Sequence, residues 1–261
     1  MSAAEQQILY ERRGAAAWLV LDRPAVLNSL TSAMLIGLRR HLAAAEADPG
    51  VRCVVVTGAG RGFCAGVDLG DARGNRESDT RAVLEELRDA LLALEASPLP
   101  VIAAVNGVAC AGGLELLLAC DLVIAAEQAR IGDAHANFGL IPGGGCSVRL
   151  PERIGMARAR RLLLTGELLP ARTLEEWGLV GEVVPAEELE AAAGRLVALL
   201  AAKSPLAAAR VKRLMAQGRE LPRREALDRE IAAVVEHAAS ADMAEGLAAF
   251  AEKRVPRFTG A

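Results

Sequence analysis

Aromatic residues are scarce, with two Trp, one Tyr and four Phe making up 3% of the 261 residues. Little is therefore available for stacking on single-stranded bases. The chain also lacks an excess of positive charge. With 30 Lys and Arg against 33 Asp and Glu, its formal net charge is −3, which argues against a general nucleic-acid binder. No apolar run reaches the roughly 18 residues that a membrane helix needs, and the opening MSAAEQQILYERR carries acids where a secretory leader carries bases. The histidines His41, His135 and His237 stand far apart, outside any HExxH or Cys/His cluster, so no local zinc motif is present. The five cysteines, Cys53, Cys64, Cys110, Cys120 and Cys146, are odd in number and never spaced CxxC, as expected of a reduced compartment. These absences lead to the expectation of a cytoplasmic protein with no metal, nucleic-acid or membrane partner.

What is there is an ordinary globular composition, 52% hydrophobic and 24% charged, on a chain long enough for one large domain or a main domain with an appendage. Ala15 to Asp22, Arg52 to Gly58, Pro100 to Gly107 and Asp121 to Glu127 are short apolar runs, which predict buried strands. Between them, Met34, Leu35, Leu38 and Leu42, and then Leu84, Leu87, Leu91 and Leu94, repeat at helical spacing. Strands alternating with helices predict an α/β fold with mainly parallel pairing. After Gly181 the sequence turns alanine-rich, with helices predicted over 185–203, 205–218, 222–239 and 242–253 and no strand signal. This tail would be either an interaction surface or a helical cap on the core.

Two glycine clusters bear on chemistry. TGAGRGFCAG follows a predicted strand, but its Gly58, Gly60 and Gly62 do not fit a dinucleotide fingerprint, whose third glycine would fall at Phe63. There is no Gly-Lys step for a P-loop and no GxSxG elbow. In NGVACAGGLELLLACD, Gly112 and Gly113 precede an apolar run that predicts a helix. The first N–H groups of a helix have no internal partner and favour an oxyanion, and glycine lets a ligand approach them closely. Glu115, in the first turn, would then carry a carboxylate beside that ligand, an arrangement suited to proton transfer next to a carbonyl; alternatively it only complements the helix dipole.

RPAVLNSL (23–30), RGFCAGVDL (61–69), NGVACAGGLELLLACD (106–121), FGLIPGGG (138–145) and AFAEKRVPRF (249–258) resemble, in order and over almost the whole chain, the motifs of the enoyl-CoA hydratase/isomerase, or crotonase, superfamily. The resemblance implies a crotonase-like spiral of ββα turns with the acyl-CoA site, over residues 1–195. It also implies a helical trimerisation region over 196–261, giving a homotrimer or a hexamer of two trimers. The substrate would be an acyl-CoA thioester, coenzyme A entering with it and no separate cofactor being needed. By resemblance, the N–H groups of Val67 and Gly112 would form the oxyanion hole. Ala65, Asp68, Leu69 and Gly70 would line the adenine and pantetheine path, Val26 and Leu27 would approach from the other side, and Phe250 and Lys253 would close over the coenzyme. The segment from Asp71 to Thr80 would shape the acyl pocket.

One position departs from the pattern. Hydratases of this superfamily carry two glutamates; Glu115 matches the first, and His135 stands where the second is expected. A histidine can still exchange protons near neutral pH. In extended backbone, Asp133 would share a face with His135 and orient its ring. The resemblance thus implies an enoyl-CoA hydratase-like lyase with Glu115 and His135 as acid/base groups. The alternatives are a one-carboxylate double-bond isomerase, a diketone C–C hydrolase, whose branch has a histidine here but an aspartate where Gly144 stands, and a catalytically weak acyl-CoA-binding protein.

Overall fold

The computed structural model describes residues 7–68 and 77–261. Ten strands and ten helices are found among them. β1 (Ile8–Arg13) and β2 (Ala16–Leu21) form an antiparallel hairpin, after which β3 (Cys53–Gly58), β5 (Val101–Val105), β7 (Leu122–Ala126) and β10 (Glu182–Val184) add in parallel, in the order β1-β2-β3-β5-β7-β10. A smaller sheet, β4-β6-β8-β9, is built from β4 (Gly62–Cys64), β6 (Val108–Cys110), β8 (Arg130–Gly132) and β9 (Leu168–Pro170). Consecutive strand pairs therefore place one strand in each sheet before the chain enters a helix, and the repeat winds the spiral of ββα turns. The four apolar runs are all strands of the larger sheet. β10 corrects the expectation of no strand after Gly181, because three residues are too few to show a period and only pairing with β7 makes them a strand.

These strands lack a polar face because both faces of the sheet are covered. Alternate residues Leu19, Val54, Val56, Ala103, Val105 and Ala125 face the main core with α1 (Ser32–Ala47) and α2 (Glu77–Ala96). Trp18, Val55, Ile102, Ala104 and Ile124 face a second cluster, completed by Leu189, Ala192 and Ala193 of α7 (Leu189–Ala201). Each Leu or Ile so buried contributes about 1.5–3 kcal/mol. α7 runs across residue 195, and its Leu196, Val197 and Leu200 pack on the second cluster, so the expected boundary at 195/196 falls inside a helix seated on the sheet.

Two helices of the tail start at serine caps. Ser204 accepts from the Ala207 N–H with Pro205 opening α8 (Pro205–Gly218), and Ser240 accepts from the Met243 N–H to open α10 (Ala241–Glu252). Between them lies α9 (Arg223–His237). α8 is tied to the core by Lys212, which pairs with Asp121 at 2.7 Å and donates to the Leu94 and Leu99 carbonyls. Across α8 to α10, Val211, Met215, Ile231, Val235, Leu247 and Phe250 are exposed, an apolar surface that one chain leaves uncovered. Among the described residues no single helix is long and apolar enough to cross a membrane.

Candidate active site

The site forms where three successive turns of the spiral meet. After β6 the chain reaches Ala111, held at φ 50° and ψ −121°, and enters α3 (Gly112–Leu118). That dihedral pair is strained for a residue with a side chain. α3 is buried along its whole length, so LELLLA needs no polar face, and Glu115 is carried inward to 1% exposure. A surface dipole partner would not be desolvated in this way.

Against the N-terminus of α3 lies the segment after β4. Leu30 forms a parallel bridge with Val67, its N–H donating to the Gly66 carbonyl and its carbonyl accepting from Asp68, so the N–H of Val67 points away from Leu30. A Cβ on Gly112 would lie 3.1 Å from the Val67 nitrogen, and one on Gly66 would lie 3.2 Å from the Gly112 nitrogen. The two backbones abut with no room for side chains. Gly66 is also at φ +108°, open to glycine alone in practice. Among the described residues neither the Val67 nor the Gly112 N–H donates to a backbone acceptor. Two neighbouring, uncommitted donors can hold one anionic oxygen.

Glu115 is positioned from the third turn. Its Oε1 accepts from the Gly144 N–H at 2.6 Å and the Cys146 N–H at 3.4 Å. The loop carrying Gly144 is fixed in turn by Arg149 of α4 (Cys146–Ile154), which donates to the Gly144 carbonyl and makes a two-pronged pair with Glu95 at 2.7 Å. Burial pushes the Glu115 carboxyl above its ordinary range, against the Gly144 N–H and the nearby His135, which favour its charged form. A Cβ at Gly144 would come within 2.5 Å of Glu115 Oε2 and 2.6 Å of Leu87. An aspartate there, as in the diketone-hydrolase pattern, would require the Glu115 carboxylate and the Leu87 side chain to move.

His135 begins a 3-10 turn, His135–Phe138, and its Nδ1 lies 2.9 Å from Asp133 Oδ1. The contact between the two was expected from extended backbone, but Ala134 between them is left-handed at φ 61°, and this fold-back brings the ring to the carboxylate. Burial alone would lower the His135 pKa. The hydrogen bond and charge of Asp133, with the charge of Glu115, outweigh it and raise the imidazole above its ordinary value.

The other expected site residues divide. Ala65 is partly buried and its carbonyl meets the Cys110 thiol, while Asp68 pairs with Arg23 at 2.9 Å. Val26 is exposed, and Leu27, left-handed at φ 51°, sits against Gly62. This loop is pinned by Asn28, whose buried amide donates to the Ala59 and Gly62 carbonyls and accepts from the Arg23 N–H. Sequence reasoning passed over Asn28 and Arg149; only the readiness of Asn for a left-handed turn marked the former. Leu69, Gly70 and Asp71–Arg76 of the expected pocket segment lie outside the described residues, and Thr80 is on α2. Phe250 and Lys253 are exposed on and after α10, outside the buried cluster. Among the described residues no group of three or more His, Cys, Asp or Glu is arranged to hold a metal ion.

Residues 11–261 match the family model described as enoyl-CoA hydratase/isomerase. The chain belongs to that family. It is 37% identical to the 2,3-dehydroadipyl-CoA hydratase of Escherichia coli (strain K12), over 97% of this chain and 99% of that one. It is 39% identical to the 1,2-epoxyphenylacetyl-CoA isomerase of the same strain, over 93% and 94%. The crystal structure of an enoyl-CoA hydratase from Bacillus anthracis superposes with a TM-score of 0.94 at 37% identity, covering 98% of this chain and 100% of the other. The spiral is thus the crotonase fold of this enoyl-CoA hydratase/isomerase family, and an acyl-CoA substrate is consistent with membership.

Proposed function

We propose that the protein hydrates a 2-enoyl-CoA thioester. The observation that carries this reading is the buried Glu115, held by the Gly144 N–H beside the Asp133–His135 pair and the abutting N–H groups of Val67 and Gly112. The thioester oxygen would sit between those two N–H groups, which act as the oxyanion hole. Glu115 as carboxylate takes a proton from water as its oxygen attacks Cβ, and the π electrons move onto the thioester oxygen as an enolate. The His135 imidazolium then gives its proton to Cα, so that H and OH have both been added. Proton transfer from Glu115 to His135 restores the starting state.

A screen of 2-enoyl-CoA thioesters by loss of the conjugated chromophore, in wild type and His135→Ala, tests this. Water addition in wild type and a loss of roughly 10²- to 10⁴-fold in the variant are expected. The rate should rise with pH as Glu115 loses its proton and fall as His135 loses its own. Both groups are shifted upward, so the bell lies to the alkaline side of an ordinary carboxylate and imidazole. If His135→Ala stays within a few-fold of wild type, His135 has no part in the chemistry. Double-bond migration without water addition would replace the hydratase reading by that of a one-carboxylate isomerase. The absence of a carboxylate at Gly144 disfavours the diketone hydrolase.

The exposed apolar faces of α8 to α10 support assembly through this region. Light scattering should give three or six times the 27.3 kDa chain mass. A monomer at working concentration would remove the trimer.

A further inference from the structure

Asp133 touches both halves of the site. Its side chain is fully buried, and Oδ1 meets His135 Nδ1 at 2.9 Å. Its other oxygen, Oδ2, is buried without a conventional hydrogen-bond partner, with the Cys146 thiol facing the same carboxylate. Its backbone carbonyl accepts at 2.9 Å from the N–H of Ala111, the strained residue directly before Gly112. A buried carboxylate is costly unless a cation answers it. The partner within reach is the imidazole, so a charged ring balances the anion where a neutral one would leave Oδ2 uncompensated.

We propose that Asp133 is a positioning residue for both the proton donor and the oxyanion donor. Its carboxylate holds His135 as an imidazolium through Nδ1 and leaves Nε2 as the nitrogen that exchanges the proton, while its backbone carbonyl anchors Ala111 and hence the Gly112 N–H. In the protonation step the Nε2–H bond breaks, the enolate pair forms the Cα–H bond, and the Nδ1–H bond to Asp133 stays intact. The surrounding groups agree with this assignment. Glu115 on α3 adds negative charge, the thiols of Cys110 on β6 and Cys146 on α4 are pushed up by burial and stay neutral, and Arg149 on α4 is engaged by Glu95. On α5 (Met156–Thr165), which packs against the His135–Phe138 turn, Arg161 pairs with Glu167 and Arg158 lies over Trp177. The inference rests on the hydratase reading for its kinetic consequences, though the state of the ring can be read without turnover.

The test compares wild type with Asp133→Asn, which keeps the size of the side chain and the backbone carbonyl but removes the charge. Imidazole 15N shifts, assigned among the three histidines, should show the neutral wild-type ring of His135 protonated on Nδ1 and titrating above 6.5, and a lower titration point in the variant. With a four-carbon 2-enoyl-CoA, kcat should fall roughly 10²-fold and its alkaline limb move to lower pH, while the Kd of a saturated four-carbon acyl-CoA stays within a few-fold. An unchanged titration of His135 overturns the proposal, as does equal loss of binding and kcat, which would mark a merely structural side chain. If Asp133→Asn does not fold, the wild-type ring still decides, because a neutral tautomer protonated on Nε2, or titration at or below 6.5, excludes the role. A wild type that hydrates no enoyl-CoA but shows the expected ring would sink the hydratase reading and leave the Asp133 assignment standing.

Discussion

Glu115→Gln is expected to reduce turnover of a 2-enoyl-CoA by roughly 10²- to 10⁴-fold while acyl-CoA binding stays within a few-fold of wild type. The amide fills the same volume, and its oxygen can still accept from the Gly144 N–H, so the loop pinned by Arg149 need not move. What is lost is a group that can take a proton. The proposed base is well suited to that task, because a desolvated carboxylate holds a proton more tightly than an ordinary one and accepts it more readily from water. Calorimetric binding of a saturated acyl-CoA, set beside steady-state kinetics, separates the two effects. Turnover unchanged by the substitution would remove Glu115 from the mechanism, and parallel loss of binding would show that it serves to shape the site.

Gly66→Ala should have the next largest effect. The position is at φ +108°, and an added Cβ would approach Ala111 Cβ to 2.9 Å and the Gly112 nitrogen to 3.2 Å. Neither neighbour can yield as a flexible chain end could, since one is the first side-chain atom of a strained residue and the other is backbone. The segment carrying Val67 must therefore shift against α3, which spoils the spacing of the two proposed oxyanion donors. Losing one such donor costs about 10²- to 10³-fold in kcat. The strained dihedral should also destabilise the fold by about 1–3 kcal/mol, readable as a lower thermal midpoint. A folded Gly66→Ala protein with wild-type kcat would show that the two N–H groups do not act on the reacting oxygen.

Much of this is legible in the amino-acid sequence. The short, Val-, Ile- and Ala-rich runs at 53–58, 101–105 and 122–126 read as strands buried on both faces, because they offer no polar side to water. The helices of the tail were legible from the alanine-rich composition after Gly181, with prolines near the joints. Glu115 was legible as a site candidate from two glycines ahead of an apolar helix, and His135 from its place in the family motif. β4, β6, β8, β9 and β10 were not, since three residues show no period and become strands only by pairing.

Composition and periodicity by themselves determined the α/β class, the mainly parallel pairing and the helical tail, since burial and helix propensity are local demands written into neighbouring residues. The depth of Glu115 under Gly144, the backbone abutment of Val67 and Gly112, and the hold of the Asp133 carbonyl on Ala111 were decided by tertiary structure. Each joins segments from different turns of the spiral. Residues 67, 112, 133 and 144 lie apart in the chain, and the stacking of β4, β6 and β8 brings the segments that carry the first three together.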